Sequence, residues 1–205
     1  MRVSLYLLAV VPIALAGCNK PVVDTPKYDP AAMAKEAMAT ADANSDGKIA
    51  AEELEKSPGL KAMLPQADAD HNATLSEAEI AERIKKYGDS AMALVPFKCQ
   101  VLLDGHPLAD AKVTLTPEKF LASVVEPAEG TTNKEGYAVL SVAKLSGKGL
   151  SGVRYGAYRI EISKKDGAGK ETLPAKFNTE TTLGQEVASD VRELEHGVTI
   201  KLSSR

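Results

Sequence analysis

The chain has 205 residues, of which 26% are charged and 4% aromatic, and its formal net charge is −3. A slightly acidic composition argues against a nucleic-acid-binding role, which calls for a basic patch. Beyond the N-terminal segment, no apolar run approaches the roughly 20 residues that a membrane-spanning helix needs.

The chain begins with MRVSLYLLAVVPIALAGC. Arg2 precedes an apolar run from Leu5 to Ala16, which is too short to span a bilayer and has the form of a signal peptide. The last four residues, Leu-Ala-Gly-Cys, resemble the bacterial lipobox. The resemblance implies removal of residues 1–17 and attachment of diacylglycerol to Cys18. An ordinary secretory signal that contains a cysteine is the alternative.

A lipidated Cys18 implies an exported protein that is anchored to the bacterial cell envelope. By family analogy, Asn19 after the cysteine favours the outer membrane. The mature chain would carry 24 basic and 28 acidic residues. The remaining cysteine, Cys99, lies in an alternating apolar run and is expected to be a buried small hydrophobic residue. Residues 18–29 contain prolines and little periodic pattern, so we expect a flexible tether.

An alanine-rich segment follows, and its pattern is helical. Asp29 is a good N-cap, and Pro30 suits the first helical position. Apolar residues then recur every four positions, which predicts a helix over residues 30–41. The Asp42–Glu53 segment, DANSDGKIAAEE, comes directly after this helix.

This segment places oxygen ligands at alternate positions, with Gly47 at position 6, where the chain must turn sharply. The candidate ligands are Asp42, Asn44, Asp46, the backbone carbonyl of Lys48, and Glu53. A second segment, DADHNATLSEAE, repeats the pattern with Ala73 at position 6. Its candidate ligands are Asp68, Asp70, Asn72, the backbone carbonyl of Thr74, Ser76 and Glu79.

Both segments resemble the calcium loops of the EF-hand family. Ca²⁺ takes six to eight oxygens at roughly 2.3–2.6 Å, and oxygens on every second residue can surround one such ion. The resemblance implies a pair of Ca²⁺ sites in residues 30–90, joined through the apolar position-8 residues Ile49 and Leu75. Acidic, solvated turns without a metal are the alternative.

The helices around the loops can be placed from local signals. A helix leaving the first loop is expected near Ala51, stopped by Pro58-Gly59, and a short helix over residues 60–66 should enter the second loop. Ser76 should cap the last helix, which is expected to end at Gly88. The methionines of this part could line a groove for a partner or form a small core: Met33, Met38 and Met63.

From Val95 onward, apolar residues alternate with a period of two. We expect residues 91–205 to form an antiparallel β-sandwich, with strands in VPFKCQVLLDG, DAKVTLTP, GYAVLSVA, GAYRIEIS and GVTIKLSS. The fold class is therefore α+β. A change in charge near Ser90, from −6 over residues 24–90 to +1 over residues 91–205, suggests two independently folding domains.

The sandwich segment also resembles a known family. VLLDGHPLADAKVTLTP, GTTNKEGYAVLSV and SGVRYGAYRIEIS are similar to the turns and strands of carboxypeptidase regulatory-like domains, which have a transthyretin-like fold. The later LPAKFNTETTLGQEV is similar to a C-terminal segment found in short bacterial lipoproteins of this kind. Glu186 stands at a position where that segment often has another residue. The resemblance implies a fold and no activity, because its motifs are structural.

No pattern of enzyme catalysis stands out. The histidines, His71, His106 and His196, lie at turns, and no metal-peptidase, hydrolase or phosphate-loop motif occurs. Basic residues such as Arg154 and Lys164 are expected on a solvated face. The sequence therefore predicts a calcium-binding structural or interaction protein, not an enzyme.

Two other functions remain open. The sandwich could bind a saccharide or a protein at the envelope. Residues 42–79 could instead be a dockerin-like assembly module, although dockerin repeats lack the entering helix that residues 30–41 supply here.

Overall fold

A computed structural model of the protein describes residues 24–90, 94–146 and 150–204. The predicted signal peptide, the lipidated Cys18 and the first part of the expected tether lie outside these residues. Helices α1 to α6 cover Pro30–Ala41, Ala51–Leu54, Pro58–Ala67, Glu77–Asp89, Ala143–Ser146 and Glu193–His196. Strands β1 to β10 cover Lys48–Ile49, Leu75–Ser76, Phe97–Leu103, His106–Pro107, Lys112–Pro117, Ala128–Thr131, Tyr137–Val142, Gly156–Ser163, Gly184–Val187 and Val198–Leu202.

Helix α1 has the bounds that local signals predict. The Oδ1 atom of Asp29 accepts a hydrogen bond from the Ala32 N–H at 3.1 Å, and Pro30 occupies the first turn. Helix α4 likewise begins after Ser76, whose side chain accepts from the Glu79 N–H in a capping box. Caps of this kind satisfy N–H groups that have no partner within a helix. In the described part of the chain, no helix is both long enough and apolar enough to cross a membrane.

Two helix-boundary predictions were wrong. Pro58 and Gly59 do not end a helix but begin α3, because proline fits a first helical position that needs no N–H partner. The helix leaving the first loop, α2, ends earlier, at Leu54. Gly88 lies within α4, which continues to Asp89.

The C-terminal part is a curled sheet of eight strands. Their order is β10-β3-β7-β6-β5-β8-β9, and β4 pairs with β3 at one side. The five predicted apolar runs form β3, β5, β7, β8 and β10. All pairs in this sheet are antiparallel except β3 with β10, which are parallel.

The helices pack onto this sheet, and both parts contribute to one hydrophobic cluster. Helix α3 lies against strands β8 and β9. The approach is so close that a Cβ atom on Gly184 would stand 1.8 Å from the carbonyl oxygen of Pro58. The contact between the two parts is therefore a packed interface.

The expected tether also contacts this unit where it is described. The Tyr28 hydroxyl donates a hydrogen bond to the Tyr155 carbonyl at 2.7 Å, and the ring lies 6.0 Å from that of Tyr87. The Asp24 carbonyl accepts from Arg154 Nη1 at 2.8 Å. Asp24 and Tyr28 thus contact the rest of the fold, which the prediction of a flexible tether did not anticipate.

Candidate metal centre

The first loop is organised by its own carboxylates. The Asp42 carboxylate accepts from the N–H groups of Asp46 at 3.2 Å and Gly47 at 3.0 Å. At the far end of the loop, Glu53 reaches back, and its Oε1 accepts from the Ala43 N–H at 2.8 Å. Its Oε2 accepts from the Ala50 N–H at 2.9 Å. The side chain at position 12 therefore reaches back to the start of the loop, next to Asp42 at position 1.

The second loop repeats these contacts. Asp68 accepts from the N–H groups of Asn72 at 3.1 Å and Ala73 at 2.9 Å. The Glu79 carboxylate accepts from the Ala69 N–H at 3.0 Å, and from the Ser76 N–H at 2.9 Å. The predicted equivalence of the two loops thus extends to their hydrogen bonds.

A short antiparallel bridge joins the loops. Strands β1 and β2 pair Ile49 with Leu75, and both side chains are fully buried. The position-8 contact predicted from the sequence is confirmed. The two loops are therefore joined through their apolar sides, which lie in the core, while most of their acidic side chains are exposed.

Backbone conformation is also shared. Positions 4 and 6 have positive φ in both loops: 59° at Ser45 and 84° at Gly47, then 59° at His71 and 62° at Ala73. Glycine adopts this conformation freely, whereas a Cβ atom makes it unfavourable. Position 6, where the sequence predicts a sharp turn, is thus left-handed in both loops, even where alanine occupies it.

Three carboxylates converge in the second loop. Ligand oxygens of Asp68, Asp70 and Glu79 lie within 4.8 Å of one another, and this group of side chains could hold a metal ion. Among the described residues, no other group of three or more acidic, histidine or cysteine side chains meets that spacing. The first loop offers the amide of Asn44 at position 3, where the second offers the carboxylate of Asp70.

Glu53, Asp68 and Glu79 have pKa values below their usual range. Hydrogen bonds from the Ala50 N–H, and then from Ala43 and Asn44, lower the pKa of Glu53. Desolvation raises the pKa of Asp68, but hydrogen bonds from Ala73 and Asn72 outweigh it and hold that pKa below its usual range. Anionic oxygen ligands suit hard cations, so the donor set fits such an ion.

Other sequence predictions can be located on the structure. Met33, Met38 and Met63 are buried, which favours the core interpretation over a partner groove. Cys99 is fully buried, and burial raises the pKa of its thiol to about 11, as expected for an inert cysteine. The three histidines are exposed.

Arg154 departs from the expected solvated face. Its side chain is buried, and Nε donates to Glu126 Oε2 at 2.9 Å. The contact of its Nη1 with Asp24 explains the burial, because the guanidinium bridges the sheet and the segment before α1. Sequence position alone did not indicate these partners.

A buried ionic cluster was missed entirely. Arg83, on the helix that leaves the second loop, donates through Nε to Glu186 Oε1 on β9. Its Nη1 and Nη2 atoms donate to Asp190 at 2.6 and 2.7 Å. The Tyr87 hydroxyl donates to the same Glu186 oxygen. The side chain of Glu186 is thus contacted by two residues of α4.

Arg83 and Glu186 form a buried ion pair. Arg83 and Glu186 are each 1% exposed. Desolvation raises the pKa of Glu186, although the Arg83 guanidinium opposes the rise. The same guanidinium lowers the pKa of Asp190. Arg83 itself stays charged, because hydrogen bonds to both carboxylates outweigh its desolvation and raise its pKa.

A groove of about 700 Å³ lies beside the cluster. One wall is α3, with Ala62 and Gln66, and the other is the segment from Gly184 to Glu193. The helical part and the sheet therefore both form this groove. Its volume is in the range of about 300–1,000 Å³ typical of small-molecule sites.

No protein-family model matches the chain, and no curated protein shows significant similarity to it.

Proposed function

We propose that residues 30–90 form an EF-hand pair that binds Ca²⁺, within a protein that has a structural or interaction role. The convergence of Asp68, Asp70 and Glu79 within 4.8 Å is the observation that carries this proposal. The bridge between the loops supports it, because paired loops share a core. Asp42, Asn44, Asp46, Glu53 and the Lys48 carbonyl would hold the first ion.

Several features favour Ca²⁺ over other metals. Every candidate ligand is an oxygen, which disfavours metals that prefer histidine or cysteine. The loops supply many ligands from a flexible backbone, which suits Ca²⁺ better than the strict octahedron of Mg²⁺. In the second site, Asn72, Ser76 and the Thr74 carbonyl would complete the set.

Calorimetric titration tests this proposal. The full chain should bind two Ca²⁺ ions, and Mg²⁺ should compete weakly. The double substitution Asp68→Asn with Glu79→Gln should remove one of the two binding events. Asp89→Asn, which removes an exposed carboxylate from α4 outside the loop, is the control and should leave both. Failure of the unsubstituted chain to bind Ca²⁺ would refute the metal assignment.

We further propose that the protein is an envelope lipoprotein whose sheet domain is a transthyretin-like sandwich without catalytic activity. The lipobox-like sequence supports the anchor. Wild-type protein should partition into the detergent phase, and Cys18→Ser should move to the aqueous phase. Equal partitioning of the two would contradict the lipid anchor.

A second candidate function is ligand binding, and the 700 Å³ groove favours it. Because α3 forms one wall, the whole protein should bind a saccharide or peptide where residues 91–205 alone do not. Ala62→Trp should block the groove, whereas Ala168→Trp, in an exposed hairpin, should not. A glycan array with the whole chain and both variants tests this candidate; binding that survives Ala62→Trp would exclude the groove.

A further inference from the structure

We infer that Arg83 is a positioning residue for the second metal site. By fixing α4 to strand β9, it holds Glu79 in place, and metal binding in this loop in turn tightens the contact of α4 with the sheet. The inference rests on the proposed function and names the regulation of its second site.

The connection runs along a single helix. Glu79 lies in the first turn of α4, and Arg83 and Tyr87 follow at four-residue intervals. Residues four apart lie on one side of a helix, about 6 Å apart along its axis. A rigid helix therefore joins the metal ligand to both groups that contact Glu186.

The other arm of the loop, helix α3, packs against β8 and against β9, the strand that carries Glu186. Helix α3 ends at Ala67, directly before Asp68. At its start, the Gly59 N–H donates to Glu118 Oε1 at 2.8 Å. Both helices that flank the second loop are therefore held by sheet residues, so the separation of the loop ends depends on these contacts.

The docking of α4 on the sheet and the binding of an ion at the second site are therefore coupled in both directions. If docking of α4 improves the geometry of the site, binding of the ion must favour docking by the same factor. Coupling between sites commonly changes affinity about 5- to 150-fold. We expect an effect in this range at the second site.

Whether removal of Arg83 weakens or tightens Ca²⁺ binding distinguishes a positioning role from a purely electrostatic one. Arg83 is a cation near a cation site, so its removal would tighten Ca²⁺ binding if only Coulomb repulsion mattered. Loss of positioning would weaken binding. Lys85, an exposed cation on the same helix whose Nζ lies 3.9 Å from Glu82, provides a control with the same charge change.

The first test measures Ca²⁺ affinity of the full chain by calorimetry. Asp42→Ala serves as the background, because it leaves the second site as the one under study. In this background, Arg83→Met should weaken binding about 5- to 150-fold. Lys85→Met should leave affinity unchanged or tighten it. Equal or tighter binding in Arg83→Met would overturn the inference while leaving the proposed function intact.

The second test needs no change in the cluster. Arg83→Met leaves Glu186 buried without its counter-ion and could prevent folding. Amide hydrogen exchange in β9, Gly184–Val187, is therefore compared with Ca²⁺ and with chelator. Protection should rise with Ca²⁺ in the wild type and in Asp42→Ala, and should rise less in Asp68→Ala, where only stabilisation of the whole fold by the first site remains.

The outcomes are distinguishable. Ca²⁺ binding without any change of exchange in β9 overturns the inference alone. A rise of protection in Asp68→Ala equal to that of the wild type also overturns it, because the second site would not be the cause. Absence of Ca²⁺ binding by the wild type overturns the proposed function and the inference together.

Discussion

Position 6 is the residue at which the two loops differ most. Ala73 has a φ of 62°, which costs a residue with a Cβ atom about 1–2 kcal/mol. Ala73→Gly should therefore tighten the second site about five- to thirty-fold, as measured by calorimetric titration. Gly47→Ala is the matched control: its Cβ would meet nothing within 4 Å, so it should weaken the first site through the backbone alone. An unchanged affinity in both variants would contradict the prediction that the first site binds Ca²⁺ more tightly than the second.

A second prediction at this scale concerns pH. Desolvation raises the pKa of Glu118, although the Gly59 N–H, Arg159 and Lys119 oppose it. A carboxyl whose pKa is higher in the folded state than in the unfolded state stabilises the fold at low pH. This contribution is complete below the unfolded-state pKa of about 4.3 and is lost as pH rises through the folded-state pKa. Glu118→Gln keeps a hydrogen-bond acceptor for the Gly59 N–H but cannot ionise, so its stability does not fall for this reason as pH rises.

Urea unfolding of both proteins with chelator, from pH 4 to 7, tests the prediction. The free energy of unfolding of Glu118→Gln relative to wild type should rise with pH across this window. A constant difference would mean that Glu118 does not titrate differently in the folded and unfolded states.

The bridge between β1 and β2 is the element that joins the two loops. Leu75 is fully buried opposite Ile49, so Leu75→Ala should cost about 2–5 kcal/mol and reduce cooperativity between the two Ca²⁺ steps. Val139→Ala, at a side chain 61% exposed, should change stability by about 0.5 kcal/mol or less. Urea unfolding and calorimetry measure both effects; unchanged cooperativity in a folded Leu75→Ala protein would show that the bridge does not couple the sites.

For the whole molecule, the shared core predicts one cooperative unfolding transition rather than the two that the charge distribution suggests. Gly184→Ala would place a Cβ atom 1.8 Å from the Pro58 carbonyl oxygen, so the interface must open. Overpacking of this kind costs about 1–3 kcal/mol. Gly167→Ala, where a Cβ atom would meet nothing within 4 Å, should be close to neutral. Separate calorimetric transitions in the wild type would instead support independent domains.

Local signals predicted much of the metal module. The bounds of α1 follow from Asp29 and Pro30, and the convergence of Asp68, Asp70 and Glu79 follows from a fixed spacing, because capping and loop geometry depend on residues close in sequence. The five long strands followed from their alternation of apolar residues. Pro58-Gly59 was ambiguous, since the same dipeptide can end one helix or begin another.

The sequence by itself determined the loops and the sharp turn at position 6, since these depend on short-range backbone geometry. It also indicated the pairing of Ile49 with Leu75, because both residues occupy position 8 of their loops. Tertiary structure alone decided that Arg83 meets Glu186, 103 residues away. With 25 basic and 28 acidic residues in the chain, charge does not select one pair. Selection comes from burial, since the fold removes water from both groups and brings them within hydrogen-bond distance of each other.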